Sequence, residues 1–220
     1  MTNNIPVITI DGPAASGKGT IAERVAQALG FHYLDSGALY RIATYAALKR
    51  GIALDDLEAL TALTQTLRPQ FRQGEIELDG ERITDLIRTE AVSAATSKVA
   101  SVPGVRAALT VLQKSAAQAP GLVADGRDMG TVIFPDAQLK IFMTASTRVR
   151  AERRYKQLLT RGDAADLEAI ERDLRERDER DSHRATAPLK PAEDALILDT
   201  SEMGIEAVVK KILLWWKERI

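Results

Sequence analysis

The sequence predicts an α/β fold in which a parallel sheet is covered by helices on both faces. Three observations carry this. Five short apolar runs, VITI (7–10), HYL (32–34), LVAD (122–125), LKIFM (139–143) and ALIL (195–198), are near-continuous in the way of strands buried on both sides. Segments of helical periodicity lie between and after them. The first run also leads through a glycine-rich stretch straight into an amphipathic helix.

The elements follow in order. After VITI and the glycine-rich stretch, Ile21, Val25, Ala28 and Leu29 form one helical face and Glu23, Arg24 and Gln27 the other, with Gly30 ending the helix. At the C-terminal end Val208, Val209, Ile212, Leu213 and Trp216 repeat the helical period. One region departs from this pattern. FRQGEIELDGERIT (71–84) alternates Ile76 and Leu78 with acidic residues, turns at Asp79-Gly80 and resumes at Ile83, which predicts a small antiparallel hairpin. Residues 60–90 are therefore expected as an insertion on the main sheet. No internal repeat, low-complexity tract or long linker divides the chain.

Composition narrows the functions available. At 220 residues the chain can bury one substantial core, and 45% hydrophobic with 28% charged residues is ordinary for a soluble globular protein. A net charge of −1 argues against a general nucleic-acid binder. The absence of cysteine excludes a disulfide, a thiolate zinc site and a cysteine nucleophile. MTNNIPVITID has no secretory pattern, and no apolar stretch is long enough to span a membrane, so a cytoplasmic soluble protein is expected.

ITIDGPAASGKGT (8–20) is the strongest local signal. Gly12, Gly17 and Lys18 fit the G-x-x-x-x-G-K phosphate loop, between the strand and the helix that this motif requires. Small residues let the backbone wrap phosphates, N–H groups and the helix start face the anion, and Lys18 reaches the transferring group. Gly19 follows the lysine and Thr20 comes next, so the hydroxyl of the strict motif is displaced. Ser16, Thr20 or water alone are open candidates for contact with magnesium. A regulatory GTPase would need a guanine-reading N-K-x-D, which this chain lacks; the GKGT ending resembles nucleoside monophosphate kinases.

Two further clusters lie at predicted strand ends. LDSGALYR (34–41) puts Ser36 at the carboxyl end of the second strand and Arg41 in the following helix, although Ser36 alone reads equally well as a helix cap. ADGRDMGTVIFPDA (124–137) puts Asp125, Arg127 and Asp128 just past a buried strand. In LRERDERDSHRATAPL (174–189), Arg177, Arg180, Asp181 and Arg184 recur on one helical side, while Glu176, Asp178 and Glu179 are expected to face water.

Taken in order, DGPAASGKGT, LDSGALYR, IRTEAVSAATSKVA, VR, ADGRDMGTVIFPDA, KIF, ERD and RDSHRATAPL resemble the bacterial cytidylate (CMP/dCMP) kinase family over nearly the whole chain. The resemblance implies a P-loop, nucleoside-monophosphate-kinase-like three-layer α/β fold: a five-stranded parallel sheet, an inserted small antiparallel β subdomain and a helical lid. It implies a single kinase domain over 1–220, with core 1–59, 91–150 and 185–220, a CMP-binding insertion at 60–90 and a lid at 151–184. Gly12, Pro13, Ala14, Ala15, Ser16, Gly17, Lys18, Gly19 and Thr20 would hold the ATP phosphates. Ser36, Arg41, Arg127 and Arg184 would hold the CMP phosphate region, Ser97, Arg106 and Asp128 would read cytosine, and Arg177 and Asp181 would contact the sugar and neighbouring phosphate. Lys18, Arg127, Arg177 and Arg184 are the expected catalytic set. Magnesium would be held mainly through phosphates and water, with no dedicated protein metal site, and the enzyme would act as a monomer on CMP, dCMP and ATP.

Chemistry supports these roles. Cytosine presents an exocyclic amino donor that Asp128 can accept, whereas uracil presents an acceptor there. The attacking phosphate oxygen of a nucleoside monophosphate is already ionised, so the reaction is a matter of alignment and charge neutralisation, and neither His32 nor His183 is assigned a catalytic part. Segment 148–184 holds eleven basic and ten acidic residues, so individual arginines must be placed to matter; Arg153, Arg154 and Arg161 are lid candidates for ATP. The competing readings are a P-loop kinase acting on a hydroxyl with Asp125 as base, and a non-catalytic nucleotide-binding module.

Overall fold

The computed structural model describes residues 5–72 and 74–219. All five expected parallel strands form: β1 (Val7–Asp11), β2 (His32–Asp35), β6 (Leu122–Gly126), β7 (Leu139–Thr144) and β8 (Leu196–Asp199). Between β2 and β6 lie α2 (Ser36–Lys49), α3 (Leu57–Thr66), the short strands β3 (Gln70–Arg72), β4 (Glu75–Leu78) and β5 (Glu81–Arg82), α4 (Glu90–Val99) and α5 (Pro103–Ser115). The remaining helices are α1 (Lys18–Leu29), α6 (Thr147–Thr160), α7 (Leu167–His183) and α8 (Ile205–Lys217). The chain separates into two compact units: the residues up to Asp35 with those from Ala116 onward, and Ser36–Ser115.

The first unit is built on the parallel sheet, ordered β2-β6-β1-β7-β8. Every residue of β1 and β6 is buried, which is why these strands read as unbroken apolar runs. On one face Ile8, Ile10, Leu139, Ile141 and Met143 pack against Ile21 and Val25 of α1 and Val208, Ile212 and Trp216 of α8. Phe31 meets Trp216 edge to face at 5.8 Å. The face of α1 is rotated slightly from expectation: Ala22 and Ala26 are buried with Ile21 and Val25, while Ala28 falls at the rim and is exposed. The register matters most for function. Asp11 ends β1 opposite Gly126, the last residue of β6, so the loops leaving these strands start level with each other.

The second unit holds α2 to α5 and the antiparallel sheet β3-β4-β5. Its turn lies at Asp79-Gly80, with φ of 53° and 80°, the left-handed pair that a two-residue hairpin demands. Ile76, Leu78 and Ile83 are buried beneath it, as their alternation predicts. The sheet has one strand more than the expected hairpin, because β3 pairs with β4; the exposed Phe71 at its centre left no alternating pattern to reveal it. The sheet lies within 60–90, whereas the compact unit around it runs over Ser36–Ser115, and α3 crosses position 60. No helix among the described residues is long and apolar enough to cross a membrane.

Candidate active site

The loop between β1 and α1 is shaped by contacts that tolerate few alternatives. A Cβ on Gly12 would stand 2.2 Å from the Met143 carbonyl oxygen, so only glycine lets the chain leave the sheet here. Ala15 adopts φ 57°, uncommon for a residue with a side chain, and Gly17, at φ 86°, caps α1. The helix starts at Lys18, whose Nζ donates to the Pro13 carbonyl at 3.2 Å. A Cβ on Gly19 would come within 3.2 Å of Asp125 Oδ2, so a hydroxyl-bearing residue at the motif's usual position would need that carboxylate to give way. Of the two hydroxyl candidates, Ser16 is buried and its Oγ has no hydrogen-bond partner, whereas Thr20 is exposed.

Lys18 stands in an unusual field. Burial lowers its pKa to about 7, with Arg127 and Arg177 pushing the same way and Asp125 and Asp35 opposing. So the lysine and two of the expected catalytic arginines share one electrostatic neighbourhood before any anion is present. Asp11 lies behind them. Its two oxygens accept the Met129 and Gly130 N–H groups, each at 2.8 Å, and so cap the short π-helical turn Met129–Ile133 that follows Arg127 and Asp128. Burial nevertheless raises its carboxyl to about 6, the two N–H groups opposing and the neighbouring Asp128 adding to the rise.

Arg127, Asp128, Asp181 and Arg184 form one cluster. Arg127 Nε donates to Asp181 Oδ2 at 2.9 Å, and Arg184 Nη2 lies 3.8 Å from Asp128 Oδ1. Burial alone would raise the Asp181 carboxyl, but Arg127, Arg177 and Arg184 together hold it below the usual range. Asp128 and Asp181 are buried, so these are costly charges kept in place by their partners. Arg180 does not join them; it is exposed, 3.8 Å from Glu176. Asp178 also departs from expectation. It does not face water with Glu176 and Glu179 but accepts from the buried Arg150.

The second unit carries the other acceptor candidates. Ser36 opens α2 and is buried, its Oγ accepting from Gln113 Nε2 at 2.8 Å. Arg41 lies one turn further, with Nε buried and lacking a hydrogen-bond partner, and Ser97 on α4 has a buried Oγ in the same state. Arg106 on α5 is buried, donates to the Ala100 carbonyl at 3.2 Å and lies over the Tyr40 ring at 5.7 Å. The two histidines are exposed and bonded to carbonyls, His32 to Ala119 and His183 to Glu179.

Three residues escaped the sequence reading. Asp11 reads as the last residue of a strand, Gln113 as a polar residue on an amphipathic helix, and Arg150 as one basic residue among many. The lid candidates separate as well. Arg153 donates to the Ser16 and Thr200 carbonyls, while Arg154 donates to Gln157 on the surface. Arg161 is exposed at the end of α6.

A parallel sheet whose central strand opens into a lysine-bearing phosphate loop is the frame of a P-loop phosphotransferase, and arginines crowded on that lysine suit two anionic substrates rather than one. Comparison with known proteins narrows this class. The family model for cytidylate kinase matches residues 8–218. Cytidylate kinases of Burkholderia cenocepacia (strain HI2424) and Burkholderia pseudomallei (strain 1106a) are 55% and 56% identical over 212 and 213 residues, 96% and 97% of this chain and 93% of each relative. That of Paraburkholderia phymatum is 55% identical over 212 residues, with the same coverage of 96% and 93%. Among solved structures, TT1252 from Thermus thermophilus superposes with a TM-score of 0.50 at 19% identity over 98% of both chains, a likeness of fold alone. The chain belongs to the cytidylate kinase family.

Proposed function

We propose that this enzyme transfers the γ-phosphoryl group of ATP to CMP and dCMP, giving ADP with CDP or dCDP. The observation that carries the reading is the crowding of Lys18 by Arg127 and Arg177 beside a phosphate loop, in a chain of this family. Two polyanions repel each other, and only a site with surplus positive charge brings them into line. Arginine suits the acceptor phosphate because its planar fork grips two oxygens and keeps its charge, and Lys18 follows the transferring group as a compact point charge.

The residue roles belong to the same proposal. Gly12–Thr20 cradle the ATP phosphates; Ser36, Arg41, Arg127 and Arg184 hold the CMP phosphate. Ser97, Arg106 and Asp128 read cytosine, and Arg177 and Asp181 hold the sugar and neighbouring phosphate. The orphaned Arg41 Nε and Ser97 Oγ support this, since buried polar atoms without partners are what a polar ligand satisfies. Residues 60–90 act as the CMP-binding subdomain and 151–184 as the lid, whose closure excludes water and suppresses ATP hydrolysis. The enzyme works as a cytoplasmic monomer.

Magnesium fits the residues present. Ser16 offers a buried hydroxyl without a hydrogen-bond partner in the phosphate loop, a hard oxygen donor of the kind this ion takes alongside nucleotide phosphates. Bound there, it would neutralise charge on the transferring group. No general base is required, because the attacking oxygen is ionised, and Asp125 lies in the field of Lys18, where it balances charge.

A coupled ADP-release assay with CMP, dCMP, UMP, AMP and shikimate tests the proposal. CMP and dCMP should give the highest kcat/KM. If CMP releases no more ADP than buffer, the proposal fails.

A further inference from the structure

Three carbonyls of the phosphate loop accept from basic side chains. Lys18 takes Pro13, Arg150 Nη1 takes Ala14 at 3.0 Å, and Arg153 Nη1 takes Ser16 at 3.1 Å. The two arginines stand three residues apart on α6, on one face of the helix. Each is anchored elsewhere. Arg150 is 3% exposed and also donates to the Ala145 carbonyl at 2.9 Å, to Thr147 Oγ1 at 3.1 Å and to both oxygens of Asp178 on α7. Arg153 also donates to the Thr200 carbonyl at 2.6 Å and to Thr200 Oγ1 at 3.2 Å. Around them Ala14, Ala151 and Leu174 form a small apolar cluster that seats α6 and α7 on the loop.

The geometry of a peptide makes these bonds consequential. A trans peptide unit is planar, and its C=O and N–H point in opposite directions. A cation that holds the Ala14 carbonyl therefore directs the Ala15 N–H the other way. The grip on Ser16 does the same for the Gly17 N–H. These two donors belong to the loop's left-handed residues, Ala15 at φ 57° and Gly17 at φ 86°, of which Ala15 is the one that local preference alone would not hold. A charge on the carbonyl side also polarises each peptide, strengthening its N–H as a donor to an anion.

We propose that Arg150 and Arg153 are positioning residues of the phosphate loop. They hold it by its carbonyls so that the Ala15 and Gly17 N–H groups stay aimed at the nucleotide polyphosphate. Asp178 ties this grip to the helix carrying Arg177 and Asp181. The inference rests on the proposed function for the identity of the anion, and its binding measurement needs no acceptor.

The experiment compares the wild type with Arg153→Met, and with Arg150→Met made together with Asp178→Asn so that no bare carboxylate is left behind. Binding of a non-hydrolysable ATP analogue is measured by titration calorimetry without acceptor, and KM is measured separately for ATP and CMP. Each variant should bind the analogue at least about tenfold more weakly, while KM for CMP at saturating ATP moves by less than about twofold. Asp178→Asn alone, which leaves both arginines on the loop, should lose less analogue affinity than either. Unchanged analogue binding in folded Arg153→Met, or equal rises in both KM values, overturns the inference. If the Arg150 double variant does not fold, Arg153→Met decides alone. Lack of CMP turnover in the wild type would overturn the proposed function and leave the analogue measurement to judge this inference.

Discussion

Lys18 offers the sharpest quantitative test of the site, because its charge should change when its ligand arrives. Burial and the two arginines lower its pKa from 10.5 to about 7. At about 1.4 kcal/mol per pH unit, this is on the order of 5 kcal/mol against the ammonium form. A polyphosphate supplies the missing counter-charge, so binding should return the lysine to its protonated state. Near pH 8 only about a tenth of free enzyme would carry that proton, so MgADP or a non-hydrolysable ATP analogue should draw in about 0.9 proton per site. Near pH 7 the uptake should be about 0.5, and near pH 6 about 0.1.

Titration calorimetry in buffers of different ionisation enthalpy reads this number directly. The measurement is cleanest near pH 8, where the nucleotide phosphates, with a second pKa of about 6, are themselves ionised. Lys18→Met should abolish both the uptake and turnover. Uptake below about 0.2 proton near pH 8, or the same uptake in Lys18→Met, would refute the argument that arginine crowding and burial keep this lysine neutral. The sign extends to stability. The unfolded chain holds the lysine proton up to 10.5 and the folded chain releases it around 7, so this group makes folding more favourable as pH rises between those values.

Two more predictions test the neighbouring carboxylates. Asp128→Ala should lower the CMP-to-UMP ratio of kcat/KM by at least about tenfold, because the exocyclic amino group loses its buried acceptor; a ratio that holds would remove Asp128 from base reading. Asp11 has a folded pKa near 6 against 3.8, so its contribution to stability is complete below 3.8 and is lost as pH rises through about 6. Urea unfolding should therefore show the wild type losing up to about 3 kcal/mol relative to Asp11→Asn over that range, and a flat difference would show that the ionised form is held as well as the neutral one.

What could be read from sequence, and what could not, divides along contact range. The central strands β1 and β6 were legible because burial on both faces leaves an unbroken apolar run. The edge strands β2 and β8 showed as short apolar runs although only Leu34 and Leu198 in them are buried. The loop was legible because strand, glycines, lysine and helix are neighbours in the chain. Arg150 shows where such reading stops. It shares its helix with Arg148, Arg153 and Arg154, and nothing in the spacing ranks them. Arg148 pairs on the surface with Glu152, four residues on, and with Glu171 on α7, whereas Arg150 reaches the Ala14 carbonyl 136 residues back in the chain. Asp178 is misleading for the same reason: within LRERDERD it reads as a solvated acid, and it becomes the partner of the buried Arg150 because α7 packs on α6. Asp11 looks like the end of a strand until the β1–β6 register sets it level with Gly126 and the Met129 and Gly130 N–H groups come into reach. Residues that touch substrate recur in short local patterns, since a ligand is gripped by loops at strand ends. Residues that hold those loops are chosen by how helices and strands meet, so they stay unmarked in the sequence until strand order and helix packing are known.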